Sequence, residues 1–265
     1  MTELVQRITA VAAASIGLLV SDAPAAGAEE DDHPARLSLI AEQAEASPGQ
    51  TIYLGVMLDM DEDWHTYWPG QNDSGFPLRF SIEAPEGYTV GEPMWPAPER
   101  YSATDLVLDY VYHDVALVLV PVEVPSDASE GDASFSVSAE WLVCREACIP
   151  GDGTAELAVA IGSSSKVGEH AELFKTARDR VPRSSTSMAM RVRDDHLVVR
   201  VPAADVLEFY PHESGRSLAD HMTDGRSTQG GLRIRLEPGD EPVRGVVRVT
   251  ANRGHTRYYW IEIEE

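Results

Sequence analysis

Apolar and polar positions alternate with period two along most of this chain, and a helical period governs one short stretch. Leu37 and Leu39, then residues 51–58, read as strands on either side of Ser47-Pro48-Gly49-Gln50, where proline presets φ and glycine accepts a positive one. Residues 78–82 (Leu-Arg-Phe-Ser-Ile) alternate as a half-buried strand does, and Pro85-Glu86-Gly87 turns the chain. Residues 115–124 are almost continuously apolar and read as a buried strand. Residues 133–141 put Phe135, Val137 and Ala139 on one face. Several short strands between turns predict a sandwich with Greek-key connections. Gly162-Ser163-Ser164-Ser165 closes that unit. Residues 169–181 then place Leu173, Phe174, Ala177 and Val181 at helical spacing before Pro182. After the polar Ser184-Ser185-Thr186-Ser187 linker, residues 196–201, 232–236, 243–249 and 258–263 are strand-like again. The fold class is therefore mainly β: a sandwich over residues 29–162, a helix and linker over 163–187, and a second, smaller β-sandwich-like domain over 188–265. About 80 residues make a marginal core without a neighbouring surface.

The amino terminus has a different pattern. Arg7 ends a short polar segment, residues 8–20 are apolar, and Ala26-Gly27-Ala28 precedes the acidic Glu29-Glu30-Asp31-Asp32. This thirteen-residue run of apolar and small residues is too short to span roughly 30 Å of hydrocarbon. The order is that of a secretory signal with an A-x-A cleavage site, so residues 1–28 are expected to be removed and the remainder to be soluble in the periplasm or another extracytoplasmic space. Without a cysteine after the apolar run, no lipid anchor is expected.

Charge narrows the partners. With 21 Lys and Arg against 44 Asp and Glu, the formal net charge is −23. A polyanion of this kind is repelled by phosphate backbones and anionic lipid, so no nucleic-acid partner is expected.

The chain has two cysteines, Cys144 and Cys148, within Trp141-Leu142-Val143-Cys144-Arg145-Glu146-Ala147-Cys148-Ile149-Pro150. In an exported protein they most simply form one disulfide, and a strand, a three-residue turn and a return strand would set them opposite each other. A loop this short stabilises by only about 2 kcal/mol through chain entropy, a weak staple. A pair across a tight turn suits opening and closing, because the second thiol is always at hand to resolve a mixed disulfide. Structural and redox readings both stand on this evidence. A metal reading needs more ligands, and the eight histidines lie at no ligand spacing to the cysteines or to one another. Met188-Ala189-Met190 offers two thioethers that soft copper would accept, or two core methionines. No nucleophile elbow, zinc-protease helix or phosphate loop is present, so neither a hydrolase nor a bound cofactor or metal is expected.

Aromatic segments complete the pattern: Trp64-His65-Thr66-Tyr67-Trp68-Pro69-Gly70 with Ser74-Gly75-Phe76-Pro77, then Pro85-Glu86-Gly87-Tyr88, and Trp95-Pro96-Ala97-Pro98-Glu99-Arg100-Tyr101, a proline-stiffened loop. Together with the cysteine run, and in this order, they resemble the N-terminal periplasmic domain of the thiol:disulfide interchange protein DsbD and its ScsB-like relatives, over roughly residues 36–160. Phe209-Tyr210-Pro211 and the strand around Gly245 are similar to the ScsB-type extension. The resemblance implies an immunoglobulin-like sandwich whose cysteine pair, here Cys144 and Cys148, takes electrons from a membrane-embedded DsbD-like donor. It would pass them to periplasmic thioredoxin-fold or other disulfide-bearing proteins. It implies that the second cysteine, Cys148, attacks. It also implies a capping loop at Glu99-Arg100-Tyr101; the family's capping aromatic aligns with Arg100, which makes Tyr101 the expected shield, with Tyr67 a further residue near the pair. DsbD itself continues into a transmembrane region and a thioredoxin domain, and neither pattern follows here, so donor and acceptor are expected to be separate proteins. The rival readings are a non-catalytic two-domain binding or adaptor module with a structural disulfide, and a copper-handling protein.

Overall fold

The computed structural model describes residues 33–264, apart from 105, 185–187, 221, 223–224 and 252–253. The expected signal segment, residues 1–28, lies outside the described residues, as do the centre of the Ser184–Ser187 linker and Glu265. In chain order the strands of the first half are β1 (Ala35–Ala41), β2 (Gln43–Ala46), β3 (Thr51–Met60), β4 (His65–Tyr67), β5 (Arg79–Glu83), β6 (Thr89–Val90), β7 (Glu99–Thr104), β8 (Val107–His113), β9 (Val115–Glu123), β10 (Gly131–Cys144), β11 (Cys148–Ile161) and β12 (Lys166–Val167). Helix α1 (Ala171–Arg180) follows. Then come β13 (Arg183–Ser184), β14 (Ala189–Arg193), β15 (His196–Arg200), β16 (Ala204–Pro211), β17 (Arg226–Ser227), β18 (Gly231–Arg235), β19 (Val243–Ala251) and β20 (His255–Ile263).

The first half is a sandwich of two sheets, β1-β3-β9-β6 and β12-β2-β11-β10-β4-β8-β7, with β5 also paired to β10. The non-sequential order means that the chain crosses repeatedly between the sheets. One core lies between them. Leu54, Leu58, Val118 and Val120 from the smaller sheet meet Phe135, Val137, Trp141 and Val143 from β10.

Strand β9 is buried on both faces, which explains its unbroken apolar run. Ala116, Val118, Val120 and Val122 point into the sandwich. Leu117 and Leu119 point the other way, to a second apolar layer with Ile40, Phe174 and Ala177. Helix α1 supplies that layer. A Cβ placed on Gly55 would stand 2.9 Å from the Phe174 ring, so the helix packs where the sheet has no side chain. Pro182 follows the helix by two residues, as its sequence pattern predicts.

The second half is the smaller β-sandwich. A five-stranded sheet, β13-β20-β19-β16-β17, faces a three-stranded one, β14-β15-β18. Leu207, Phe209, Val247 and Ile261 pack there against Leu197, Val199, Leu232 and Ile234. Met188 and Met190 pack against this core, on a different cluster from the one that holds the cysteines. The seam between the halves is also packed. Tyr210 and Val246 are buried in the first core, and Gln71 Nε2 lies within hydrogen-bond distance of the His212, Gly215 and Arg216 carbonyls.

Three local differences from the sequence reading stand out, the first two caused by pairing at a sheet edge. Glu99-Arg100-Tyr101, expected as a loop, is extended because its backbone pairs with Tyr110 and its neighbours on β8. Ser184, expected in the linker, pairs in parallel with Trp260. Strand β16 went unrecognised because Glu208 interrupts its apolar run; that carboxylate is buried and held by Arg226 at 3.1 Å and Arg248 at 2.6 Å.

Candidate functional site: a disulfide at the end of a long hairpin

Strands β10 and β11 pair over their full length, from Gly131 opposite Ile161 to Cys144 opposite Cys148. The two cysteines are joined by a disulfide, with Cα atoms 4.1 Å apart, across the turn Arg145-Glu146-Ala147. The sulfurs differ in environment: Cys144 is buried, 4% exposed, and Cys148 is exposed. An incoming thiolate therefore has access to the Cys148 side of the bond.

Strand β4 runs beside the end of β10, with His65 opposite Cys144. It brings the buried Tyr67 under the disulfide. The Tyr67 hydroxyl donates to Cys144 Sγ at 3.0 Å and lies 3.9 Å from Cys148 Sγ. It is also 3.3 Å from Ser74 Oγ, and Ser74 donates both its hydroxyl, at 2.7 Å, and its backbone N–H, at 2.9 Å, to the buried Asp109 carboxylate. Asp109, Ser74, Tyr67 and Cys144 thus stand in one line of polar contacts, with the Ser74 hydroxyl proton directed to the carboxylate and the Tyr67 proton to the sulfur. Gly75 is required by this packing. Its φ is +64°, and a Cβ there would lie 2.2 Å from Tyr67 Cζ. Burial raises the Tyr67 pKa above its ordinary value; Asp109 and Tyr101 add to the rise and the Ser74 hydrogen bond opposes it. The phenol consequently stays protonated, a donor, through the neutral range.

Tyr101 covers the same spot from the edge strand β7. It packs against the cluster of Tyr67, Val111 and Cys144, with Leu142 beside it. Its ring is 4.7 Å from that of His65 and 5.2 Å from that of His113. His65 is buried, and its Nδ1 has no hydrogen-bond partner among the described residues. Burial, with a contribution from His113, lowers its pKa to about 4, so the ring is neutral near pH 7 and supplies no positive charge to a thiolate.

The other expected cap residues point elsewhere. Glu99 pairs with Arg180 of the helix at 3.3 Å. Arg100 donates to the Met222 carbonyl at 2.8 Å, across the seam. Arg145, on the turn itself, lies 5.3 Å over the Trp64 ring. Among the described residues, no group of three or more His, Cys, Asp or Glu side chains is placed to hold a metal ion. Sequence reasoning missed Asp109, Ser74, His65 and His113 as neighbours of the disulfide. Asp109 carried the one available signal, a carboxylate inside the otherwise apolar stretch of β8.

Comparison with known proteins follows the same hairpin. Residues 37–160 match the family described as thiol:disulfide interchange protein DsbD, N-terminal, a span that contains both cysteines, Tyr67 and Tyr101. This segment belongs to the DsbD N-terminal family. The N-terminal periplasmic domain of ScsB from Proteus mirabilis is similar over 89% of this chain and 96% of its own, with a TM-score of 0.54 at 16% identity. That likeness extends the shared fold through the second sandwich. The E. coli chaperone DraB is matched over 86% of this chain and 98% of its own at 9% identity, with a TM-score of 0.26. No curated protein matches. The family is one of thiol–disulfide interchange, and the Cys144–Cys148 pair fits it. Among the described residues no helix is long and apolar enough to cross a membrane.

Proposed function

We propose that this protein is an extracytoplasmic thiol–disulfide exchange protein in which Cys144 and Cys148 are the catalytic pair. The carrying observation is the asymmetry of the disulfide, one sulfur exposed and the other buried on a tyrosine hydroxyl. A thiolate of a membrane-embedded, DsbD-like donor attacks Cys148 Sγ. The donor–Cys148 disulfide forms, and the electron pair of the broken bond leaves on Cys144 as a thiolate, which accepts a hydrogen bond from Tyr67. The donor's second thiolate then attacks its own sulfur in the mixed disulfide and releases Cys148 as a thiolate. In the forward half-reaction Cys148 attacks a disulfide of a thioredoxin-fold or other envelope protein. Cys144 resolves that bond, so the acceptor leaves reduced and the pair is oxidised again. Two electrons pass in each half-reaction.

Tyr101 is the shield in this reading. It rests on the cluster that holds Cys144 and sits on a sheet edge, where a strand has one partner to leave rather than two. Export by the segment 1–28 places the exchange outside the cytoplasm, where disulfides persist.

The deciding experiment is the reduction potential of the pair, by thiol trapping in glutathione or dithiothreitol buffers. A value between about −180 and −270 mV, in the range of exchange proteins, supports electron transfer. A value well below about −300 mV marks a structural disulfide and overturns it in favour of an adaptor module with a permanent clip. Cys148→Ser is expected to abolish transfer yet stay folded, because the clip contributes only about 2 kcal/mol.

A further inference from the structure

A cavity of about 500 Å³ lies on the seam between the two sandwiches and the end of the helix, and the disulfide chemistry makes no use of it. Its volume is in the range of small-molecule sites, roughly 300–1,000 Å³. Three tryptophans, Trp68, Trp95 and Trp260, line it together with His212 and a set of proline, methionine and valine side chains. The His212 ring stands 5.5 Å from Trp68 and 5.2 Å from Trp260, close to perpendicular to both, so these three rings form adjoining walls rather than a flat stack.

The electrostatics of the lining have one sign. Glu92 is the one carboxylate on the wall, and no lysine or arginine lines the cavity among the described residues. His212 is neutral near pH 7. The Ser214 backbone N–H donates to its Nδ1 at 3.1 Å, and burial, with Arg244 nearby, lowers its pKa. Arg244 itself is engaged by Glu262 at 3.0 and 2.8 Å. Indole faces attract cations through their quadrupole, tryptophan most strongly, and a water-poor cage of them suits a cation that water solvates weakly. The formal charge of −23 raises the local concentration of any cation.

We propose that this cavity binds a small organic cation of the quaternary ammonium class. The methylated ammonium head sits among the tryptophans and Glu92 offsets its charge at the mouth.

The test is a titration of the oxidised protein with choline, followed by tryptophan fluorescence, since three of the five tryptophans line the cavity. A parallel titration uses 3,3-dimethylbutan-1-ol, the uncharged carbon isostere of choline. Saturable choline binding is expected, with the isostere about tenfold weaker or more. Trp95→Leu should weaken choline by a similar factor. Glu92→Gln, an exposed substitution that leaves the fold alone, should weaken choline several-fold and leave the isostere unchanged. Absence of saturable binding at millimolar choline overturns the proposal. So does an isostere that binds as well as choline, which would make the cavity a plain apolar pocket.

Discussion

Tyr67 is one side chain with two opposed environments, a sulfur on one side and the Ser74–Asp109 hydrogen bonds on the other. If its hydroxyl holds the Cys144 thiolate after the bond opens, Tyr67→Phe removes a hydrogen bond to a charged group, which contributes about 1.5–3 kcal/mol. The reduced form loses that stabilisation, so the potential is expected to fall by about 30–60 mV, measured in the same thiol buffers. An unchanged potential would assign Tyr67 to packing alone. His65 gives a pH prediction. Its folded pKa, about 4, lies below the usual 6.5, so the unfolded chain binds more protons between those values and stability falls as pH drops through that window. Full protonation would remove on the order of 3 kcal/mol. Urea midpoints of the wild type and His65→Phe, compared at pH 7 and pH 4.5, should show a smaller acid loss in the variant. His212, lowered in the same direction, adds to the wild-type loss and is common to both proteins.

At the scale of elements, the proposed shielding by Tyr101 rests on β7 being the last strand of its sheet. Its register shifts between Tyr101 and Thr104, and Leu106 beyond it is 85% exposed, so the hairpin tip gains little from burial. Tyr101→Ala is therefore expected to speed reduction of the disulfide by dithiothreitol several-fold, with a change in melting temperature of only a few degrees. Equal rates in variant and wild type would remove Tyr101 from the shielding role. The same element shows why sequence reading reached the cysteines sooner than the cap. The hairpin of β10 and β11 announces itself through Phe135, Val137 and Ala139 on one face and two cysteines around a three-residue turn. Glu99-Arg100-Tyr101 has no such alternation, since its arginine crosses to the second sandwich and its glutamate goes to the helix. Nothing local marks an edge strand whose side chains serve three different neighbours.

For the whole molecule, residues from His33 onward form one compact unit, although the pattern divides near residue 162. Tyr110 and Trp68, both buried in the first core, lean on Tyr210 at 5.8 Å and His212 at 5.5 Å. Leu117 and Leu119 are covered by the helix. A fragment ending at Gly162 would expose all four side chains. At about 25 cal/mol per Å² of newly exposed apolar surface, several kcal/mol are at stake. Its urea midpoint is expected to lie well below that of the whole protein; equal midpoints would show that the first sandwich needs nothing from the second.

Local pattern determined the β class of this protein, the position of its helix and the cysteine hairpin, because each depends on residues near one another in the chain: period two, period 3.6 and a tight turn. The family resemblance also rested on short contiguous runs. Tertiary structure alone decided which sulfur is exposed, that Tyr67 rather than a charged group touches Cys144, and that Asp109, Ser74, His65 and Tyr101 gather there. It also decided that three distant tryptophans share one cavity. Those arrangements join residues 35 to 192 positions apart, as with Ser74 and Asp109 or Trp68 and Trp260. Pairing over such distances is set by which faces can be buried together, and no local period records it.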